Sequence, residues 1–168
     1  MQYIDDCTGM CAGLSSFPYK PPFHIHNLPQ LISAGAGLDL DREGLEQVGA
    51  GIALQAYLPD SFAVQKRINA WARSRLAAGG APITIRIVKG ANMETERVEA
   101  SIRGWPQAPF GTKSEVDANY KRMLHEGMRP ENIAAARLGV ASHNLFDLAY
   151  GLAIAFIYWI FNSFCLSL

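Results

Sequence analysis

The chain is 168 residues long, enough for one domain with a buried core but short of the usual span of an eight-stranded α/β barrel. Lysine plus arginine and aspartate plus glutamate number 15 each, so no excess of charge points to nucleic acid or to an anionic surface. Cys7, Cys11 and Cys165 are odd in number and form no Cys-x-x-Cys pair, which indicates neither a disulfide framework nor a zinc site and leaves a reducing, cytoplasmic setting as the default.

Residues 1–6 carry two acids and no basic stretch ahead of an apolar run, against a secretory signal. Residues 1–46 show no sustained period and are broken by Pro18, Pro21, Pro22 and Pro29, so they read as loop. Residues 51–57 form a short, mostly apolar run closed by Pro59, as a buried parallel strand does. Asp60 or Ser61 then caps a helix with Val64, Ile68, Ala72 and Leu76 on one side and Lys66, Arg67 and Arg73 elsewhere, ending at Gly79-Gly80. Residues 83–89 are β-branched at most positions and predict a second strand. A short helix over 94–102 ends at Gly104, and Ser114 with Asp117 predicts a capping box for a helix running to about Glu126. A third strand, 137–142 within the run 134–142, ends at His143-Asn144 and leads into an apolar segment from Leu145. The order β-α-β-α-α-β-α is that of an α/β fold with a parallel sheet and right-handed crossovers.

Alternation along the strands decides what each presents. With Ile83, Ile85 and Ile87 toward covering helices, Thr84, Arg86 and Val88 face the other side; Ile52 and Leu54 likewise leave Gly51, Ala53, Gln55 and Tyr57 on the inner face. An inward arginine near the end of a buried strand has to be paired or bind an anion, because an unpaired buried charge is costly. Arg86 is therefore the leading site candidate, with a structural ion pair to a core carboxylate as the even alternative. Lys89-Gly90-Ala91 adds a cation and a glycine turn where backbone can approach a phosphate or a ring. Thr112-Lys113 places a hydroxyl and an ammonium before a helix N-terminus, as anion sites require, although a solvated surface lysine is the commoner outcome. His143-Asn144 is either a ligand-bonding pair or a satisfied structural one. His24 and His26 lack a third ligand, Gly35-Ala-Gly37 lacks a preceding strand, and no Gly-x-Ser-x-Gly or phosphate-binding loop occurs, so no metal site is expected.

The strings Leu54-Gln-Ala-Tyr57, Ile85-Arg-Ile-Val-Lys-Gly-Ala91, Asp117-Ala-Asn-Tyr120 and Ala141-Ser-His-Asn144 resemble the proline dehydrogenase family in order and spacing. Val88-Lys-Gly-Ala-Asn-Met-Glu-Thr-Glu-Arg-Val-Glu-Ala100 is most similar to the bifunctional bacterial proteins called proline utilization A, which join this domain to a glutamate-semialdehyde dehydrogenase. The resemblance implies a (β/α)8, TIM-like barrel holding FAD, in which a hydride passes from C5 of L-proline to flavin N5. The product is 1-pyrroline-5-carboxylate, on the way from proline to glutamate, and a quinone reoxidises the flavin. By position it implies that Gln55 and the catalytic Arg86 hydrogen-bond the isoalloxazine edge, that Lys89, Gly90 and Ala91 line the ribityl side, that Thr112 and Lys113 hold the pyrophosphate, and that Ser142, His143 and Asn144 contact the remainder. Asn92 stands where some relatives have an aromatic substrate-pocket residue.

The family's Arg-Arg-x-x-Glu clamp for the proline carboxylate has no counterpart here, nor do its early strands, and the apolar run 156–161 stands where the family has a charged helix. The expectation is a barrel incomplete at both ends: a divergent, loop-rich segment 1–46, a barrel fragment 47–152 and an apolar tail 153–168. A truncated or frame-shifted reading of a larger gene would produce both ends, and the expectation is that the chain is inactive by itself. Residues 145–160 are predicted to be helical and to pack beside the core. The rivals are a membrane protein anchored by residues 148–168, disfavoured by Asp147, Asn162, Ser163, Ser167 and the lack of a basic flank, and a non-catalytic binding or assembly fragment. Open strand edges permit a homo-oligomer, and the uncharged tail permits peripheral membrane contact.

Overall fold

The computed structural model describes residues 41, 44–90 and 93–165, with side chains as far as Trp159. Ala91, Asn92 and most of the stretch 1–46 lie outside the described residues. Strands β1 (Gly51–Gln55), β2 (Ile83–Val88) and β3 (Ala136–Ala141) are parallel and hydrogen-bonded in that order. Helix α1 (Ser61–Ala77) joins the first two strands. Helices α2 (Met93–Arg103) and α3 (Lys113–Gly127) and the single turn α4 (Pro130–Ile133) join the last two, and α5 (Leu145–Cys165) follows β3. The expected order is met, with α4 added; four residues are too few for a helical period to show in the sequence.

Alternation decides the layers. Leu54, Ile83, Ile85, Ile87 and Ala136 are buried against Val64, Ile68 and Ala72 of α1, Tyr120, Met123 and Leu124 of α3, and Ile154 of α5. Each large side chain so buried contributes about 1.5–3 kcal/mol. On the opposite side Gly51, Ala53, Arg86 and Arg137 are exposed. Helices therefore cover one face, as the residue pattern predicts, and Arg86 stands on the face they leave open.

Three local expectations are corrected. Tyr57 does not share the open face: the strand ends at Gln55, and although the Ala56 and Tyr57 amides still donate to Val88 O (2.8 Å) and Lys89 O (3.0 Å), the chain turns and buries Tyr57 with Leu58 and Val116. Neither Asp60 nor Ser61 caps α1 through its side chain; Ser61 is buried, and its hydroxyl accepts from Asn119 Nδ2 at 2.9 Å. The capping box of α3 is formed by Thr112 and Glu115 rather than Ser114 and Asp117. Two overlapping frames compete there, and Asp117 is drawn away by two lysines.

The anchor of the segment before β1 was not legible in the sequence. Arg75 is buried, and its Nη2 donates to the carbonyls of Leu45 (2.9 Å), Glu46 (2.7 Å) and Val48 (2.8 Å), while Nη1 pairs with Asp41 at 3.1 Å. Asp41 also accepts from Trp71 Nε1 at 2.5 Å. One guanidinium thus gathers three carbonyls, of which that of Leu45 also accepts from Val48 N and that of Glu46 from Ala81 N. Arg75→Ala is expected to cost about 1–3 kcal/mol, since it removes hydrogen bonds to buried carbonyls and the ion pair of the partly exposed Asp41. Chemical denaturation should show that loss, together with faster amide exchange over residues 44–50; an unchanged midpoint would contradict it.

Candidate functional site

Arg86 lies between Ala53 and Gly139 in the strand register. Both neighbours are small, so its flanks on the open face carry no bulk. Gln55 stands on the same face, at the carboxyl end of the adjacent strand, opposite Val88. The side chain of Arg86 is exposed, and it makes no hydrogen bond or ion pair with a described residue. The even alternative, a structural pair with a core carboxylate, is therefore not formed among the described residues. Solvent supplies its hydration because the sheet face around it is open.

Lys89, by contrast, is fully engaged. Its ammonium lies 2.6 Å from Asp117 of α3 and 2.6 Å from Asp147 of α5, and 5.4 Å from the centre of the Tyr120 ring. Asp147 is buried and also accepts from Ser142 Oγ at 2.9 Å, while Tyr120 OH donates to Ala141 O at 3.2 Å. The ends of β2 and β3 are thereby tied to two helices. Burial pulls the pKa of Lys89 down, but hydrogen bonds and charge from the two aspartates outweigh it and raise it above its ordinary 10.5. For Asp117, burial pushes upward and is overcome by Lys113 and Lys89, which bring it below 3.8.

Gly90 follows with φ +122°, a conformation few residues other than glycine adopt. A Cβ there would come within 1.7 Å of Cδ1 of Tyr57, so the ring lies flat against the bare backbone. Tyr57 OH in turn bonds the buried carboxylate of Glu96, and burial first, then Glu96, push the phenol pKa strongly upward. Arg97 donates to the carbonyls of Phe110 (2.6 Å) and Gly111 (3.0 Å), fixing the turn that delivers Thr112.

At that helix start, Glu115 Oε2 accepts from Thr112 N at 2.8 Å and from Thr112 Oγ1 at 2.9 Å. These bonds hold its carboxyl below the usual range. Lys113 pairs with Asp117 at 2.8 Å while its side chain remains 82% exposed. Ser142 Oγ accepts from Asn144 N at 3.0 Å and Asn144 Oδ1 from Phe146 N at 3.0 Å, so both residues shape the start of α5. His143 is exposed. The fold thus gathers Lys89, Lys113 and Ser142 around two aspartates at the strand ends, with Thr112 held by Glu115 and with Arg86 and Gln55 on the open face.

The family profile described as Proline dehydrogenase matches residues 37–158. The chain belongs to the proline dehydrogenase family. Among solved structures it is similar to proline utilization A from Corynebacterium freiburgense, with 43% identity and TM-score 0.69 over 82% of this chain and 14% of that one. It is also similar to proline utilization A from Bdellovibrio bacteriovorus, with 32% identity, TM-score 0.68 and coverage of 79% and 13%. A Bradyrhizobium japonicum proline utilization A mutant gives 28% identity and TM-score 0.62 over 74% and 12%. The chain therefore spans about one seventh of the length of the first two. No curated protein sequence matches it.

Set against the flavin expected of a proline dehydrogenase, the two ends of the site differ. The ring end fits: a guanidinium without a described partner, small residues on either side and an amide on the next strand suit a flat, hydrogen-bonding heterocycle. At the end where the resemblance expects phosphate, Glu115 takes the donors of Thr112, and Lys113 pairs with an Asp117 that Lys89 also holds. Lys89 and Ser142 bond to the buried Asp147.

The charge cluster has a defined pH range. Lys89, raised, contributes stability below its unfolded value that is lost as pH climbs through the folded one; Asp117, lowered, contributes above its unfolded value and loses it as pH falls. Stability should hold from about pH 5 to about pH 9. In Lys89→Met, Asp117 keeps only Lys113, its pKa rises, and the acid loss begins at higher pH, measurable as the carboxyl shift of Asp117 by NMR. Gly90→Ala should cost about 2 kcal/mol or more through backbone strain and collision with Tyr57. Its denaturation penalty should shrink in a Tyr57→Ala background, where the collision is gone.

Proposed function

We propose that this chain carries the flavin-facing wall of a proline-oxidising (β/α)8 barrel, with the three parallel strands as consecutive staves and FAD lying across their carboxyl ends. The observation that carries the reading is the Ala53–Arg86–Gly139 row, a cation set on an otherwise bare strip of sheet beside Gln55. Family membership supplies the substrate class. FAD, when bound, accepts the hydride from C5 of L-proline, leaving 1-pyrroline-5-carboxylate once the ring nitrogen loses its proton, and a quinone is the terminal acceptor.

Each residue then has a task. Arg86 holds positive charge beside the ring edge where negative charge gathers on reduction, and Gln55 fixes the ring's orientation by hydrogen bonding. Gly90, with Ala91 after it, keeps the ribityl side clear of side chains. Thr112 and Lys113 hold the pyrophosphate after giving up Glu115 and Asp117, and Ser142, His143 and Asn144 border the remainder. Lys89 keeps β2 in place against α3 and α5.

Among the described residues the sheet face is open, and the 168-residue sequence has no Arg-Arg-x-x-Glu clamp for the proline carboxylate. Water is not excluded, and an anion without fixed cations is held weakly. The purified chain is therefore expected to bind FAD weakly and to show no proline-dependent dye reduction, even with excess FAD. Steady-state assays decide it: saturable activity lost in Arg86→Met would overturn the inactive reading, and flavin affinity unchanged by Arg86→Met would overturn the assignment of the wall.

A further inference from the structure

Helix α5 is apolar on two opposite sides. One side meets the core through Asp147, Gly151 and Ile154, with Tyr150 and Tyr158 alongside. The other leaves Leu145, Ala149, Leu152, Phe156 and Trp159 exposed, and these five are spaced four, three, four and three residues apart. That alternation is the seam of a helix that packs lengthwise on another helix, with knobs entering holes. Phe146, Ala153 and Ile157 flank it, and no charged side chain interrupts the strip.

We infer that this strip is the contact surface for a second copy of the same chain, paired α5 to α5 about a two-fold axis. Leu145, Phe146, Leu152, Phe156, Ile157 and Trp159 are each half or more exposed. At ~150–250 Å² for a fully exposed large side chain, they present on the order of 700 Å² of apolar surface. That is close to the ~800 Å² each partner contributes to a standard interface, and above the patch size a monomer ordinarily leaves open. A two-fold contact requires a surface compatible with itself. A strip without charge meets that condition, because no like charges face each other when it is doubled. Ala149 and Ala153 leave room for the two helices to approach closely. A bilayer is the less suited occupant, as no helix among the described residues is long and apolar enough to cross one.

The test is sedimentation velocity of the full 168-residue chain over a hundredfold concentration range. A monomer–dimer equilibrium that saturates at the dimer is expected. Leu152→Glu and Phe156→Glu should each raise the dimer dissociation constant at least tenfold, with far-UV circular dichroism unchanged because neither side chain touches the core. Phe156→Ser, which adds no charge, should weaken the dimer as well, and Phe156→Leu should retain it. Lys66→Glu, on the exposed side of α1, should have no effect. A monomer at every concentration, growth past the dimer into mixed aggregates, or a dimer that survives the α5 substitutions and so pairs through strand edges, would each overturn the inference. So would co-flotation with phosphatidylcholine–phosphatidylglycerol vesicles in place of dimerisation.

Discussion

One ammonium group organises the functional end of this fold. Lys89 follows the last residue of β2 and meets carboxylates from α3 and α5, both at 2.6 Å. Parallel strands share no hydrogen bond with the helices that cover them, so their carboxyl ends stay in register with those helices only where side chains cross the gap. Lys89 crosses it twice, and Tyr120 adds a third tie by bonding the carbonyl of Ala141 at the end of β3. Asn119 performs the same task for β1, reaching Ala56 O at 2.9 Å. The string from Asp117 to Tyr120, which marks the family in the sequence, is in the structure the fastening of all three strand ends to α3.

Cofactor candidates and scaffold residues overlap at this end, and burial separates them. Glu115 and Lys113 are exposed, so each can exchange its present partner for another anion or cation with little loss, since exposed pairs contribute only ~0–1 kcal/mol. Asp147 is buried and shared by Lys89 and Ser142, and removing either partner would leave a desolvated charge. The same logic applies to Gly90: the absence of a side chain serves the ring of Tyr57 first, and any ligand approaching from the other side meets a backbone already held rigid.

Two surfaces are uncovered among the described residues. The matched region is about one seventh of two solved relatives. The open face around Arg86 and the outer strip of α5 are two different kinds of exposure. The first is polar and narrow, with small residues that leave space for a planar group. The second is broad and apolar, and gains by exclusion of water from any flat partner.

Several features were decided by sequence alone. Period-two isoleucines in residues 83–88 fixed which face of the sheet is buried, and the alternation of strand and helix signals fixed a parallel arrangement, because both arise from neighbours along the chain. The motif strings fixed the family for the same reason. Local rules also placed the ends of α1 and α2 by their glycines. Tertiary structure alone decided the rest, which depends on groups distant in sequence. Arg75 is held by Asp41 and by the carbonyls of Leu45, Glu46 and Val48, and Lys89 is paired by Asp117 and Asp147 from two helices, all distant from them in sequence. The choice between Thr112 and Ser114 as cap could not be read locally, since both frames satisfy the same rule and one of the two lysines that draw Asp117 away, Lys89, comes from the end of β2. Arg86 shows the converse: its side of the strand was legible, but whether that side is dry or wet depends on what covers the face, and no residue near it in sequence carries that information.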